Sequence, residues 1–330
     1  MNRLDAEELS RALREGDRRA LARAITLIES SRPDHRETAF HLLKSVMPFT
    51  GTSFRIGISG APGVGKSTFI EAFGCHLLAQ GRRVAVLTID PSSPITGGSI
   101  LGDKTRMENL SRQDNAFIRP SATGGVFGGV NKRTRDALLL CEAAGFDIIL
   151  VETVGVGQSE TTVAGMTDMF MLLLLPGSGD DLQGIKRGVT ELADMVVINK
   201  ADGELIERAR HTAADYQNAL QFMRPYTPEW SVTVKTISAI EGSGIDDIWS
   251  AVQKYREIVI KNDGLKKRRE LQAKEWLWDE VSDALIDKLK HHSGLARRVR
   301  DLEQDVVEQK APATVAAQEL VGLFTGEKES

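Results

Sequence analysis

Cysteine is scarce in this chain of 330 residues: Cys75 and Cys141 are the only two, they lack C-x-x-C spacing, and each falls inside an apolar helical pattern. That excludes a disulfide framework and predicts buried, reduced thiols in a cytoplasmic protein. Ligand-type histidine spacing is missing as well. His35, His41, His76, His211, His291 and His292 form no metal-binding pattern, and the adjacent pair at 291 and 292 reads as the solvated end of a helix. No apolar run approaches the roughly 20 residues that span a bilayer. Asp5, Glu7 and Glu8 do not fit a signal or transit peptide. Excess charge of either sign is absent too: 42 Lys and Arg stand against 46 Asp and Glu, a net charge of -4. Bulk electrostatics therefore call for neither nucleic acid nor an anionic membrane. The basic run Lys266-Lys267-Arg268-Arg269 reads as a solvated helix face.

The length suits one large α/β core with helical additions, or two domains. Residues 1–50 carry apolar positions at helical spacing, interrupted at Gly16-Asp17 and Ser31-Arg32-Pro33-Asp34. Residues 51–261 alternate short apolar runs with amphipathic segments, which predicts a mostly parallel sheet with helices on both faces. Strands are expected at 54–59, 83–89, 115–119, 146–152, 168–175, 194–198 and 232–238. From 262 to 330 the pattern is helical again. Leu271, Trp276, Leu277, Trp278, Val281, Leu285 and Leu289 make a wide apolar stripe, either core packing or a subunit interface, of which a homodimer is the favoured reading.

Ligands of such sheets bind at the carboxyl ends of strands, and the strongest motif sits there. Gly60-Ala61-Pro62-Gly63-Val64-Gly65-Lys66-Ser67, followed by Thr68, is a G-x-x-x-x-G-K-[ST] phosphate loop between a strand and a helix. Converging backbone N–H groups and the helix N-terminus suit a triphosphate, Lys66 reaches its β- and γ-phosphates, and the Ser67 hydroxyl suits Mg²⁺. After the strand ending at Asp90, a long polar loop carries Asp103, and both carboxylates can serve Mg²⁺ or water. The run FDIILVETVGVGQSE brings Glu152 to a strand end as a Walker B-type acid. Glu152-Thr153-Val154-Gly155 is a D-x-x-G variant in which Gly155 can donate to the γ-phosphate. The position that holds a water-orienting glutamine in small signalling GTPases is Val156, so slow intrinsic hydrolysis, accelerated by a partner, is expected. A loop holding Gln183, Lys186 and Arg187 leaves the same sheet edge and can bring a charge to the nucleotide, or simply be solvated. Asn199-Lys200-Ala201-Asp202 is an N-K-x-D motif: Asp202 can accept from guanine N1–H and its 2-amino group, which adenine cannot match. Ser238-Ala239-Ile240 closes the base pocket. The Gly-rich stretch 124–129 receives no chemical role.

Taken together, GAPGVGKST, VLTIDPSS, GGSILGDKTRM, FIRPS, LLCEAAGFDIILVETVGVGQSE, LPGSGDDLQGIK and ELADMVVINKAD resemble the MeaB/MMAA/ArgK family of P-loop GTPases over about residues 10–290. The resemblance implies a homodimeric chaperone. GTP hydrolysis would gate adenosylcobalamin transfer from an adenosyltransferase to methylmalonyl-CoA mutase, and would protect the mutase. It implies that Lys66 and Ser67 hold phosphate and Mg²⁺, that Asp90, Asp103 and Glu152 form the acidic Mg²⁺ and water shell, and that Asn199, Lys200 and Asp202 read guanine. The Gln183/Lys186 loop would be a third switch, with Lys186 as the leading rate-enhancing charge. Two other readings stay open: an ATP-dependent kinase of periplasmic amino-acid-binding proteins, against which N-K-A-D argues, and a nickel-insertion GTPase, for which a Cys/His site is missing.

Overall fold

A computed structural model describes residues 3–30, 32–89, 107–120, 127–153, 159–178, 187–222 and 225–326. The chain divides into two compact units, Met1–Arg269 and Glu270–Ser330.

The first unit opens with three helices, α1 (Arg3–Arg14), α2 (Arg18–Glu29) and α3 (Pro33–Val46), and a 3₁₀ turn at Met47–Phe49. The breaks fall where turn residues occur in the sequence. Asp17 ends one helix and caps the next, its carboxylate accepting from Arg19 N at 2.7 Å and Ala20 N at 3.2 Å. The α/β core follows: β1 (Phe54–Gly60), α4 (Lys66–Ala79), β2 (Val84–Ile89), α5 (Glu108–Ser111), β3 (Ala116–Arg119), α6 (Phe127–Ala143), β4 (Ile148–Thr153), α7 (Ser159–Ala164), β5 (Met169–Leu174), α8 (Arg187–Leu192) and β6 (Met195–Ile198). A 3₁₀ turn at Gly203–Leu205 leads into α9 (Ile206–Leu220), β7 (Thr233–Thr236) and α10 (Ile245–Lys261). All seven expected strands are present, their ends shifted by at most two residues.

The strands form one sheet in the order β3-β2-β4-β1-β5-β6-β7, and every pairing is parallel. Residues of β1, β2, β4, β5 and β6 are buried on both faces, apart from Gly60 at the end of β1, which explains their near-continuous apolar composition. On one face Phe54, Ile56 and Ile58 of β1 meet Phe69 and Phe73 of α4 and Trp249 of α10 in a single core. Phe69 and Phe73 stack with centroids 5.4 Å apart, and Phe73 meets Trp249 edge-on at 6.3 Å. The other face is covered in part by α6 and α7, and the amino-terminal helices pack on α6. Because β1 lies between β4 and β5 while β2 and β3 run to one side and β6 and β7 to the other, the chain reverses direction across the sheet at β1. That reversal opens a crevice at the carboxyl end of β1.

At the opposite, amino-terminal end of the strands lies a buried ionic network. Arg269 grips Asp168 through two bonds, Nε to Oδ1 at 2.8 Å and Nη2 to Oδ2 at 2.6 Å, and Arg55 Nε donates to Glu142 Oε1 at 2.9 Å. Arg268 Nη1 donates to Asp194 Oδ2 at 3.1 Å and to the Tyr255 hydroxyl at 2.8 Å. The basic run at 266–269 is therefore not a uniformly solvated face. Lys266 and Lys267 are exposed, but the two arginines turn inward to neutralise carboxylates at the strand ends. Cys141 is fully buried and Cys75 only half-buried; burial pushes both thiols up, away from the reactive thiolate.

Helix α11 (Gly264–Lys290) runs across the boundary between the two units, and α12 (Ala296–Val307) and α13 (Ala313–Thr325) complete the second. On α11, Leu271, Trp278 and Leu285 recur every seven residues and all are exposed, as are Leu277 and Ile286. Among the described residues no helix is long and apolar enough to cross a membrane.

Candidate functional site

The crevice is built at the carboxyl ends of four strands, β1, β4, β6 and β7. The first element is the turn that joins β1 to α4. Val64 N–H closes a turn onto Ala61 O at 3.3 Å, and Gly63 and Gly65 take left-handed φ of 77° and 93°. Gly65 is fixed twice over, because a Cβ there would also stand 2.6 Å from the side-chain nitrogen of Asn199. Ala61, Pro62, Gly63 and Thr68 are exposed, whereas Val64 is buried as the loop's anchor. Lys66 begins α4, is only 8% exposed, and curls back so that Nζ donates to Gly60 O at 2.7 Å and Ala61 O at 3.3 Å. Burial lowers its pKa, while the carboxylates of Glu152 and Glu160 act in the opposite sense.

The second element is the end of β4 itself. Parallel pairing puts Glu152 opposite Ile58 of β1 and Thr88 of β2, at the mouth of the crevice. There Ser67 Oγ donates to Glu152 Oε1 at 3.2 Å, and Glu152 is buried. Next to it the hydroxyls of Ser59 and Thr153 bond at 3.0 Å. A hydroxyl and a carboxylate are hard oxygen donors of the kind Mg²⁺ takes, so this pair fits the ion chemically. Among the described residues no group of three or more His, Cys, Asp or Glu side chains is placed to hold a metal. Asp90, Asp103, Gly155, Gln183 and Lys186 lie outside the described residues.

The third and fourth elements, the turns after β6 and β7, meet through Asn199 and Asp202. The Asn199 amide is 2% exposed; its nitrogen donates to Val64 O at 2.8 Å and its oxygen accepts from Ala239 N at 3.1 Å. It thus braces the phosphate loop against the 238–240 turn, a role that the motif's spelling does not reveal. Lys200, half-buried, holds a left-handed φ of 61°, uncommon for a residue with a side chain. Asp202 Oδ2 accepts from Ser238 Oγ at 2.6 Å, and the same hydroxyl accepts from Glu241 N at 3.2 Å, which orients the carboxylate. Ile240 stands 80% exposed beside this pair.

Two residues given no role in the sequence reading belong to the surroundings. Glu160, at the amino end of α7, is buried and contributes to the field at Lys66. Glu71, one turn along α4, accepts from Asn109 N at 2.8 Å and from Leu110 N at 3.2 and 3.3 Å. It holds the chain to α4 just after the stretch that contains Asp103. Neither had a legible signal, since a lone Glu in a helix is ordinary.

Comparison with known proteins decides among the P-loop folds. The model of the methylmalonyl-CoA mutase-associated GTPase MeaB matches residues 21–294. The chain belongs to the MeaB family. GTPase ArgK of Escherichia coli is 48% identical over 292 residues, 88% of this chain and 87% of its own. The mitochondrial methylmalonic aciduria type A homolog of Mus musculus is 45% identical over 328 residues, 96% of this chain and 79% of its own. The crystal structure of a LAO/AO transport system kinase superposes with a TM-score of 0.78 at 37% identity, covering 98% of this chain and 99% of that one. The MeaB match includes the phosphate loop, Glu152 and the Asn199–Asp202 turn, so the crevice lies wholly inside the family region.

Proposed function

We propose that this chain binds Mg²⁺–GTP in the crevice, hydrolyses it slowly alone and faster with a partner, and uses the cycle to gate adenosylcobalamin delivery to methylmalonyl-CoA mutase. The single observation that carries this reading is the brace formed by Asn199, which ties the phosphate loop at Val64 to the base-side turn at Ala239. A site so connected measures the distance between a nucleotide's phosphates and its base.

In this reading Lys66 exchanges its bonds to Gly60 O and Ala61 O for the β- and γ-phosphates, which restores to the buried ammonium the charge partner that burial makes valuable. The backbone of Gly60–Thr68 cradles the phosphates, and Gly155 donates to the terminal one. Ser67 and Glu152, with Asp90 and Asp103, would hold Mg²⁺ or its waters, and the ion would supply charge neutralisation to the phosphates. Asp202, oriented by Ser238, accepts from guanine, with Lys200 and Ile240 flanking the base. The loop with Gln183 and Lys186 brings the rate-enhancing charge when the mutase docks.

The partners of this reading are methylmalonyl-CoA mutase, an adenosyltransferase as cofactor donor, and a second copy of the chain. The exposed Leu271–Trp278–Leu285 stripe supports a homodimer. The site of action is the cytoplasm, with neither nucleic acid nor membrane as a partner. The domains are an amino-terminal helical extension at 1–50, a GTPase domain at 51–261 and a helical dimerisation extension at 262–330. A protein kinase reading has one observation in its favour, the name of the LAO/AO transport system kinase. Competition between GTP and ATP for one labelled guanine nucleotide separates the two. GTP should displace it and ATP should not, because adenine leaves the Asp202 acceptor unpaired; equal displacement would favour the kinase.

A further inference from the structure

The segment that leaves β5 is held by α9 rather than by its own turn alone. Leu175 O accepts from Ser178 N at 3.2 Å and from Ser178 Oγ at 2.7 Å, closing a turn in which Gly177 has φ of 83°. The Gly177 N–H points out of that turn and donates to Thr212 Oγ1 on α9 at 2.8 Å, while the same hydroxyl donates to Arg208 O at 2.9 Å. Thr212 is buried, so both capacities of its hydroxyl are used away from water. From the same helix the Arg208 guanidinium lies against Gly177. A Cβ at that glycine would fall 2.1 Å from Arg208 Nε and 2.3 Å from Nη2, so the arginine rests in this position only over a residue without a side chain and would swing outward over any other.

The amino end of α9 is the base-side turn itself. Leu205 N–H donates to Asp202 O at 3.0 Å in the 3₁₀ turn that starts the helix, and Asn199 N–H donates to Leu174 O, the last residue of β5, at 2.9 Å. Ala209 and Tyr216, both fully buried, root α9 in the fold. One helix therefore carries the guanine-reading carboxylate at its start and the clamp on Gly177 in its first two turns.

We infer that Arg208 and Thr212 are positioning residues that transmit occupancy of the guanine site through α9 to Gly177, the root of the loop that bears Gln183 and Lys186. The inference rests on the GTPase reading above. Recognition of the base at Asp202 then sets where that loop begins, which makes stimulated hydrolysis conditional on the correct base and not only on a triphosphate.

Hydrogen–deuterium exchange of the full-length protein at Gly177 and Ser178 tests this, with GDP–Mg²⁺, with pyrophosphate–Mg²⁺ and without ligand, alongside a separate GDP titration. In the wild type GDP slows exchange at these amides by about fivefold or more, the lower range of an allosteric coupling, and pyrophosphate, which lacks a base, does not. In Arg208→Ala and Thr212→Val the GDP-dependent protection is lost although GDP still binds; Thr212→Ser, which keeps the hydroxyl, retains it. Arg208 is exposed, so its variant tests the inference even if Thr212→Val does not fold. Wild-type protein that binds GDP without protecting Gly177 overturns the coupling, as do equal protection by pyrophosphate and undiminished protection in Arg208→Ala. Failure of the wild type to bind GDP at all overturns the GTPase reading instead, and with it the inference.

Discussion

Ser67 Oγ and Glu152 Oε1 stand 3.2 Å apart although 85 residues separate them in sequence. The contact joins the first turn of the helix after β1 to the last residues of β4, and it exists because β1 and β4 are paired neighbours in the sheet. If the two share an ion, their loss has separable signatures. Ser67→Ala is expected to raise the Mg²⁺ concentration for half-maximal GTP turnover at least about tenfold. Glu152→Gln keeps the shape but removes the charge, and is expected to lower kcat by about 10²-fold. Steady-state turnover across a Mg²⁺ titration measures both, and unchanged Mg²⁺ dependence in Ser67→Ala would count against the shared ion.

In the proposed reading Asp202 carries base choice, with Ser238 holding its carboxylate at 2.6 Å. Asp202→Asn replaces an acceptor by a group that also donates, which mismatches guanine and suits the carbonyl of xanthine. GTP affinity should fall about 10- to 100-fold, the cost of a lost hydrogen bond to a charged group, while XTP affinity rises. Isothermal titration with both nucleotides checks the inversion.

Lys66 supplies a pH dependence whose sign follows from its environment. Burial holds its pKa below the ordinary 10.5. Between that depressed value and 10.5 the unfolded chain binds more protons than the folded one, so this group makes stability rise with pH through that window. Below it, Lys66 is charged in both states and its desolvation cost is present in full. Lys66→Met should therefore be more stable than the wild type at neutral pH without nucleotide, and this advantage should shrink as pH climbs toward 10.5. Urea midpoints of both proteins over an alkaline series measure the difference.

The network at the far end of the strands predicts a stability effect without a direct catalytic one. Arg269→Ala removes the guanidinium donors that reach Asp168 and the carbonyls of Gly51 and Ser53 at 2.6 to 2.8 Å, leaving Asp168, among the described residues, only the Arg55 backbone N–H at 2.8 Å on its carboxylate. Breaking one side of such a buried pair costs about 3–5 kcal/mol. Urea unfolding should report the loss, with GTP turnover per folded molecule unchanged.

Much of this molecule was legible before folding, for physical reasons that differ by element. The central strands were readable because a parallel sheet covered on both faces demands near-continuous apolar runs such as MFMLLL and MVVI, whereas β7, TVKT, is half-buried and was placed by its β-branched residues and its position in the alternation. The phosphate loop was readable because backbone N–H groups can converge on a phosphate only with glycines at fixed places, such as Gly63 and Gly65. What stayed hidden are the partners chosen by tertiary proximity. Asn199 was visible as a motif letter, but its bonds to Val64 and Ala239 reach 135 and 40 residues away. Arg268 and Arg269 carried the pattern of a solvated face, and only the docking of the chain beneath β5 and β6 turned them inward. Glu71 and Thr212 bond backbone groups, and a backbone group has no sequence signature at all.

If a client enzyme governs the hydrolysis of GTP in this crevice, the rate of a single turnover must depend on that enzyme. The most direct measurement is single-turnover GTP cleavage by the full-length chain, alone and with purified methylmalonyl-CoA mutase, in the wild type and in Lys186→Ala. Cleavage by the chain alone should be slow, the mutase should accelerate it markedly, and the variant should lose that acceleration while still binding nucleotide. Rapid cleavage without any partner, or a rate indifferent to the mutase, would contradict such control.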